Sequence, residues 1–250
     1  MGTALTTYTG PCTITAPNTV IDAKVINCTL TIRATNVVIT RSRIVGGGGG
    51  IPAVTVSGSA TFTDTDIVTG VNSSGLDGSN FTATRVDISG GNRGGWCSDC
   101  TIQDSYIHGG RITGSTHASG LRADVRSRFI HNYVICDVAN TPQGGGCSAD
   151  LTGYPDFNAV RDWTITGNFF GATSGSYYCA YGGASGGKPY SNDPSNATNI
   201  QFRDNVFARG SRGVCGGAGP GSAPLGDYNK SKTGWVWSNN RYETGELIVV

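Results

Sequence analysis

The stretch from Thr35 to Ile44, Thr-Asn-Val-Val-Ile-Thr-Arg-Ser-Arg-Ile, constrains the fold more than anything else in the chain, because it recurs in degenerate form to the C-terminus. Each copy closes on an apolar residue two places after a small, polar or Asn residue. The closing residues are Ile44, Ile67, Ile88, Ile107, Val134, Phe170, Phe207 and Tyr242, with a shorter precursor ending at Ile26. Their separations are 18, 23, 21, 19, 27, 36, 37 and 35 residues. A strand-like unit of this size, repeated in fixed order between Gly and Asn, predicts a solenoid in which each repeat buries its apolar face on its neighbours.

The uninterrupted repeat predicts a single domain over residues 1–250, divided into compact coils (1–107), long-loop coils (108–232) and a C-terminal coil or cap (233–250). Gly at 39 of 250 residues suits many tight turns, and charged residues make up only 14%. A net charge of +1 provides no electrostatic footprint for nucleic acid and no polybasic patch for a membrane. Eight cysteines, an even number, imply an oxidising compartment and up to four disulfides. The N-terminus lacks the basic and apolar regions of a signal peptide, so the expectation is a mature secreted domain with an added initiator Met.

Cys12-Thr-Ile-Thr and Cys28-Thr-Leu-Thr are a duplicated tetrapeptide, and stacking at the inter-strand spacing of about 4.8 Å would let Cys12 and Cys28 bridge. Cys97-Ser-Asp-Cys100 lies in a strand-turn repeat with no second C-x-x-C, which favours disulfides, one local or two separate, over metal. Cys179 and Cys215 are one local repeat apart and should stack, leaving Cys136 and Cys147 to close a short loop. The five glycines at 46–50 form a turn; no Lys-Ser/Thr follows, so they are not a phosphate loop.

After Ile107 the repeat lengthens from about 20 to about 36 residues while its strand motif persists. Long loops on a rigid repeat are where solenoids place binding surfaces, so function is sought in 108–232. In Ser119–Arg126 the alternation sets Leu121, Ala123 and Val125 inward and Arg122, Asp124 and Arg126 outward. The same register in Gly146–Leu151 would bring Asp150 close to Asp124 on one outer face.

The coil pattern of Asn36-Val-Val-Ile, Trp163-Thr-Ile-Thr-Gly-Asn-Phe-Phe and Asn199-Ile-Gln-Phe-Arg-Asp-Asn-Val-Phe resembles the right-handed parallel β-helix proteins of the pectin-lyase-like superfamily. His117-Ala-Ser-Gly-Leu121, Tyr178-Cys-Ala-Tyr-Gly-Gly183 and Lys188-Pro are similar to a secreted bacterial branch of it. The resemblance implies an all-β fold, a single-stranded right-handed parallel β-helix of about nine coils. It also implies the range of that superfamily: polysaccharide lyases, glycoside hydrolases, epimerases, and non-catalytic tailspikes and adhesins.

Two chemistries suit the outer face. Elimination from a uronate polymer needs a base, a carboxylate partner and a proton donor, and His117, Arg122, Tyr154 and Lys188 are residues of those types. Hydrolysis needs two carboxyls, for which Asp124 and Asp150 are the candidate pair, with the short separation of stacked neighbours. The expectation leans slightly to the lyase, with a glycan-binding module or phage-type receptor-binding domain as the non-catalytic alternative. Arg126, Asp156, Tyr178, Tyr181, Tyr190 and Arg212 are candidate substrate contacts, the tyrosines as stacking platforms for sugar rings. Asp124, Asp150 and Asp156 provide for one weakly bound calcium ion at most, so no cofactor is required. A polysaccharide is the expected partner of a monomer. His108 and His131 read as structural, Trp235 and Trp237 as core or cap, and Asn132, Asn168, Asn205 and Asn240 as a ladder of stacked amides at a turn.

Overall fold

The computed structural model describes residues 4–173 and 175–250. They form an all-β structure with no helix among the described residues, in which every pairing between named strands is parallel. Strands alternate between a ten-stranded sheet, running from Thr6–Thr7 to Arg241–Tyr242, and a sixteen-stranded sheet. This stacking is compatible with a β-solenoid.

The ten-stranded sheet is built from the repeat's closing residues. Ile26, Ile44, Ile67, Ile88, Ile107, Val134, Phe170, Phe207 and Tyr242 pair in one continuous column. All but Tyr242 are fully buried. Each such side chain contributes about 1.5–3 kcal/mol on leaving water, so the repeated position carries much of the core. Trp235 and Trp237 close the far end: Trp237 lies 5.5 Å from Phe202 and 5.7 Å from Phe207, and Trp235 stacks on Tyr228 at 5.6 Å.

Two residues before each later closing position stands a buried Asn. Asn132, Asn168 and Asn205 each donate from both the backbone N and Nδ2 to Oδ1 of the next rung's Asn, at 2.8–3.1 Å. Ser42, Thr65 and Ser105 hold the same column in earlier rungs, and Ser105 N donates to Asn132 Oδ1 at 3.0 Å. The ladder is thus as the spacing suggested. The left-handed conformation belongs to the preceding residue, His131, Gly167, Asp204 or Asn239, and not to the ladder Asn itself. The Asn earns its place through its amide's two-sided hydrogen bonding in a buried turn, where a neutral group with both donor and acceptor is needed.

Disulfides join Cys12–Cys28, Cys97–Cys100, Cys136–Cys147 and Cys179–Cys215, and no cysteine is free. Four cross-links in one chain point to an oxidising environment.

In the earlier rungs the two strands of the larger sheet run together, as in Ser74–Thr84 and Arg93–Gln103. Later they are split by insertions. Gly146–Thr152 and Arg161–Thr166 are separated by residues 153–160, and Tyr178–Tyr181 and Thr198–Arg203 by residues 182–197. Both insertions project beside the outward face of the rungs carrying Trp96 and Arg122.

Candidate functional site

The strands Ser74–Thr84, Arg93–Gln103, His117–Ala123 and Gly146–Thr152 place Asp77, Trp96, Arg122 and Thr152 in one outward column. The preceding rungs carry Thr31 and Thr55 there, so chemistry begins at Asp77. A cavity of about 320 Å³ opens over this column, lined by Asp77, Gly78, Ser79, Trp96, Ser98 and Asp124. Gly78 in this lining admits no side chain without strain: its φ of +132° belongs to glycine, and a Cβ there would collide with the Val56 carbonyl of the neighbouring rung.

Asp77 Oδ1 accepts from Ser74 Oγ and, at 2.9 Å, from Trp96 N. Burial nevertheless lifts its carboxyl above the usual carboxylate range, with Ser74 and Arg93 opposing. Asp124, 8% exposed, is raised in the same way by burial, with Ser98, Arg122, Asn158 and Trp96 pulling the other way. Its backbone is fixed: the N donates to Cys97 O and Ser127 Oγ, both at 3.0 Å, and its carbonyl accepts from Trp163 Nε1. Two carboxyls with burial-raised pKa values therefore share one cavity with an indole ring.

Arg122 forms the adjoining wall. Its guanidinium lies 4.4 Å from the Trp96 ring, 5.5 Å from Tyr154 and 5.7 Å from Phe157, an aromatic cage that keeps a buried cation favourable. Asp156 bridges two cations, accepting from Arg122 Nη2 at 3.0 Å and facing Lys188 Nζ at 3.2 Å. Tyr154 packs on Tyr181 at 5.3 Å, and Tyr178 on Tyr181 at 5.6 Å. Burial raises the Tyr154 and Tyr181 hydroxyls, so both remain proton-bearing donors at neutral pH.

Arg122, Asp124, Tyr154, Asp156, Tyr181 and Lys188 thus converge as the sequence suggests, with Tyr178 at the edge. The remaining candidates do not. His117 is exposed five residues before Arg122 on the same strand, about 17 Å along it at a rise of about 3.3 Å per residue. Arg126 turns to Asp99 and lines a separate groove with Arg128. Tyr190 is exposed, its N donating to Pro155 O at 3.0 Å, and Arg212 Nε donates to Gly217 O at 3.1 Å. Val125, expected inward, is half-buried, since the strand ends at Ala123. Asp124, Asp150 and Asp156 do not meet, so the three-carboxylate calcium arrangement is absent among the described residues. Asp77, Arg93, Trp96, Ser98, Phe157 and Asn158 are site residues that reading the closing motif passes over.

Asp150 is the main correction. Leu151 pairs with Leu121, so Asp150 is level with Gly120 and not with Asp124. It is 0% exposed, with Oδ1 accepting from Cys136 N at 2.7 Å and Oδ2 unpartnered. Complete burial pushes its carboxyl well above the ordinary value. A carboxyl raised in the fold stabilises below its unfolded pKa, and that contribution is lost as pH rises through the folded pKa. Asp150→Asn should therefore gain on the wild type by up to about 1.4 kcal/mol per pH unit above pH ~4. Parallel melting curves across acid and neutral pH check this; a difference independent of pH would refute it.

No protein-family model, curated protein or solved structure matches the chain.

Proposed function

We propose that the chain is a secreted, monomeric hydrolase of an extracellular polysaccharide, built as a single-stranded right-handed parallel β-helix of about nine coils of the pectin-lyase-like kind. The observation that carries the reading is the cavity shared by Asp77, Asp124 and Trp96. Glycoside hydrolysis uses two carboxyls, one protonating the leaving oxygen and the other activating water, and burial that raises the pair suits the acid's role. Trp96 supplies an apolar face for a sugar ring.

Hydrolysis is favoured over elimination by two features of the same face. His117, the base a lyase reading relies on, lies outside the cavity, and the Arg122 charge is neutralised by Asp156. Asp77 and Asp124 stand two rungs apart, through Trp96 and Arg122, and two residues apart along the strand direction.

Incubation with a panel of neutral and uronate-containing glycans tests the reading. New reducing ends without unsaturated uronate are expected. Unsaturated product would establish elimination, while binding without cleavage of any glycan would establish a binding module.

A further inference from the structure

The interior corner between the ten-stranded sheet and the first strands of the larger one holds polar groups that hydrolysis leaves unused. Gly75, Gly94, Gly120, Asp150 and Cys179 occupy the same position in successive rungs. At the three glycines the space is filled from the other sheet: an added Cβ would meet Ile88, Ile107 or Val134. In the next rung a carboxyl stands there. Asp150 is fully buried, its Oδ2 has no partner, and nothing in an apolar corner recompenses an unpaired carboxyl. Thr173, whose N donates to Cys215 O at 3.3 Å, is also buried with its hydroxyl unpartnered.

The neighbours of Asp150 are the two sulfurs of Cys179–Cys215. A carboxylate oxygen and both Sγ atoms lie within 4.8 Å of one another, and all three residues are buried. The Gly171 carbonyl oxygen is 3.4 Å from each Sγ. Metal–sulfur bonds of about 2.3 Å and metal–oxygen bonds of about 2.1 Å place tetrahedral S and O donors roughly 3.6 Å apart, close to that separation.

We propose that, once this disulfide is reduced, Cys179, Cys215, Asp150 and the Gly171 carbonyl form a closed four-donor site for a thiophilic divalent cation such as Zn²⁺. Metal and disulfide are then alternative staples for the same two rungs. A phosphine reductant gives the balanced step: the S–S bond breaks, both sulfurs take protons and become thiols, and the phosphine is oxidised to its oxide with oxygen from water. Binding of M²⁺ then forms two metal–sulfur bonds, one metal–carboxylate bond and one metal–carbonyl bond and releases the two thiol protons. Asp150 serves the site as an anionic hard donor beside two soft ones, and the carbonyl completes the shell without an open position, as in structural zinc sites.

The test uses the full chain produced under reducing conditions and titrated with Co²⁺ in the presence of phosphine. One equivalent should give the intense visible bands of a tetrahedral ion and thiolate-to-cobalt charge transfer. C179A and C215A should abolish the signal, C136A/C147A and C97A/C100A should keep it, and D150N should weaken binding by roughly tenfold or more, the scale on which even outer-shell partners act. Zn²⁺ should raise the melting temperature of the reduced wild type but not of C179A/C215A. The proposal is overturned if no thiolate–cobalt band forms, if the band survives C179A/C215A, if D150N binds as tightly as wild type, or if the reduced chain remains unfolded with Zn²⁺ present.

Discussion

Asp124→Asn and Asp77→Asn will each lower kcat for glycan cleavage by about 10²–10⁴-fold, the range in which a positioned acid or base contributes. Asn preserves the shape of each side chain and the donors around Asp124, so the loss should fall on kcat while glycan binding persists. The wild-type pH profile should be bell-shaped, and its limbs belong to the pair and not to either residue alone. Both carboxyls are raised by burial, so the acidic limb should lie above the ordinary carboxylate range, and each Asn variant should lose one limb. Neither variant should melt lower at neutral pH: a carboxyl raised in the fold stabilises below its unfolded pKa and ceases to as pH climbs through the folded one. His117→Ala and Arg126→Ala, outside the cavity, should retain turnover. Wild-type kcat in either Asn variant, or loss of activity in His117→Ala alone, would move the catalytic centre elsewhere.

The same face gives a smaller test of the aromatic cage. The ring of Trp96 contacts Arg122 and Phe157 and lines the cavity beside both carboxyls. On the proposed reading, the protonation of the two carboxyls is governed by burial, and glycan affinity by this ring. Their separation explains why the Asn substitutions and changes to the ring should affect different kinetic constants.

How much of this was legible follows from which repeat is followed. The closing residues from Ile26 to Tyr242 could be aligned by eye because an apolar side chain recurs in every rung, in most of them two places after a buried polar one. Stacking of equivalent rungs then brought out the cysteine pairs. The site lies on a different strand with its own repeat, Ser74-Gly-Leu-Asp77, Arg93-Gly-Gly-Trp96 and Ser119-Gly-Leu-Arg122, whose fourth residue is the outward column. Following that unit aligns Arg122 with Trp96 and Asp77 and assigns Asp150 to the inward glycine position. The alternation used for Asp150 failed because both neighbouring positions, Asp150 and Leu151, are buried where the strand bends around the corner. Phe157, Asn158 and Lys188 come from insertions of no fixed length, and only the fold brings them to the column. The jump in repeat length marked those insertions, but five of the six residues lining the cavity come from the compact rungs before it.

The Asn ladder carries the largest expected loss of stability. Asn168→Leu removes the acceptor used by Asn132 N and Asn132 Nδ2, both at 3.0 Å, and the donor to Phe129 O at 2.8 Å. Three buried polar groups then lose a partner at about 1–3 kcal/mol each, so a loss of about 3–9 kcal/mol is expected. That is a large part of the 5–15 kcal/mol or so that holds a typical domain together. In a stacked architecture the damage passes to neighbouring rungs, since each is stabilised mainly by the next. Asn132→Ser should cost less. Asn132 begins the ladder, its Oδ1 accepts from Ser105 N at 3.0 Å, and Ser105 itself shows that a hydroxyl satisfies this column. Denaturant melts of the two variants beside Asn229→Ala, an exposed control, decide the matter: equal midpoints for Asn168→Leu and the control would mean that the ladder fills space without bearing stability.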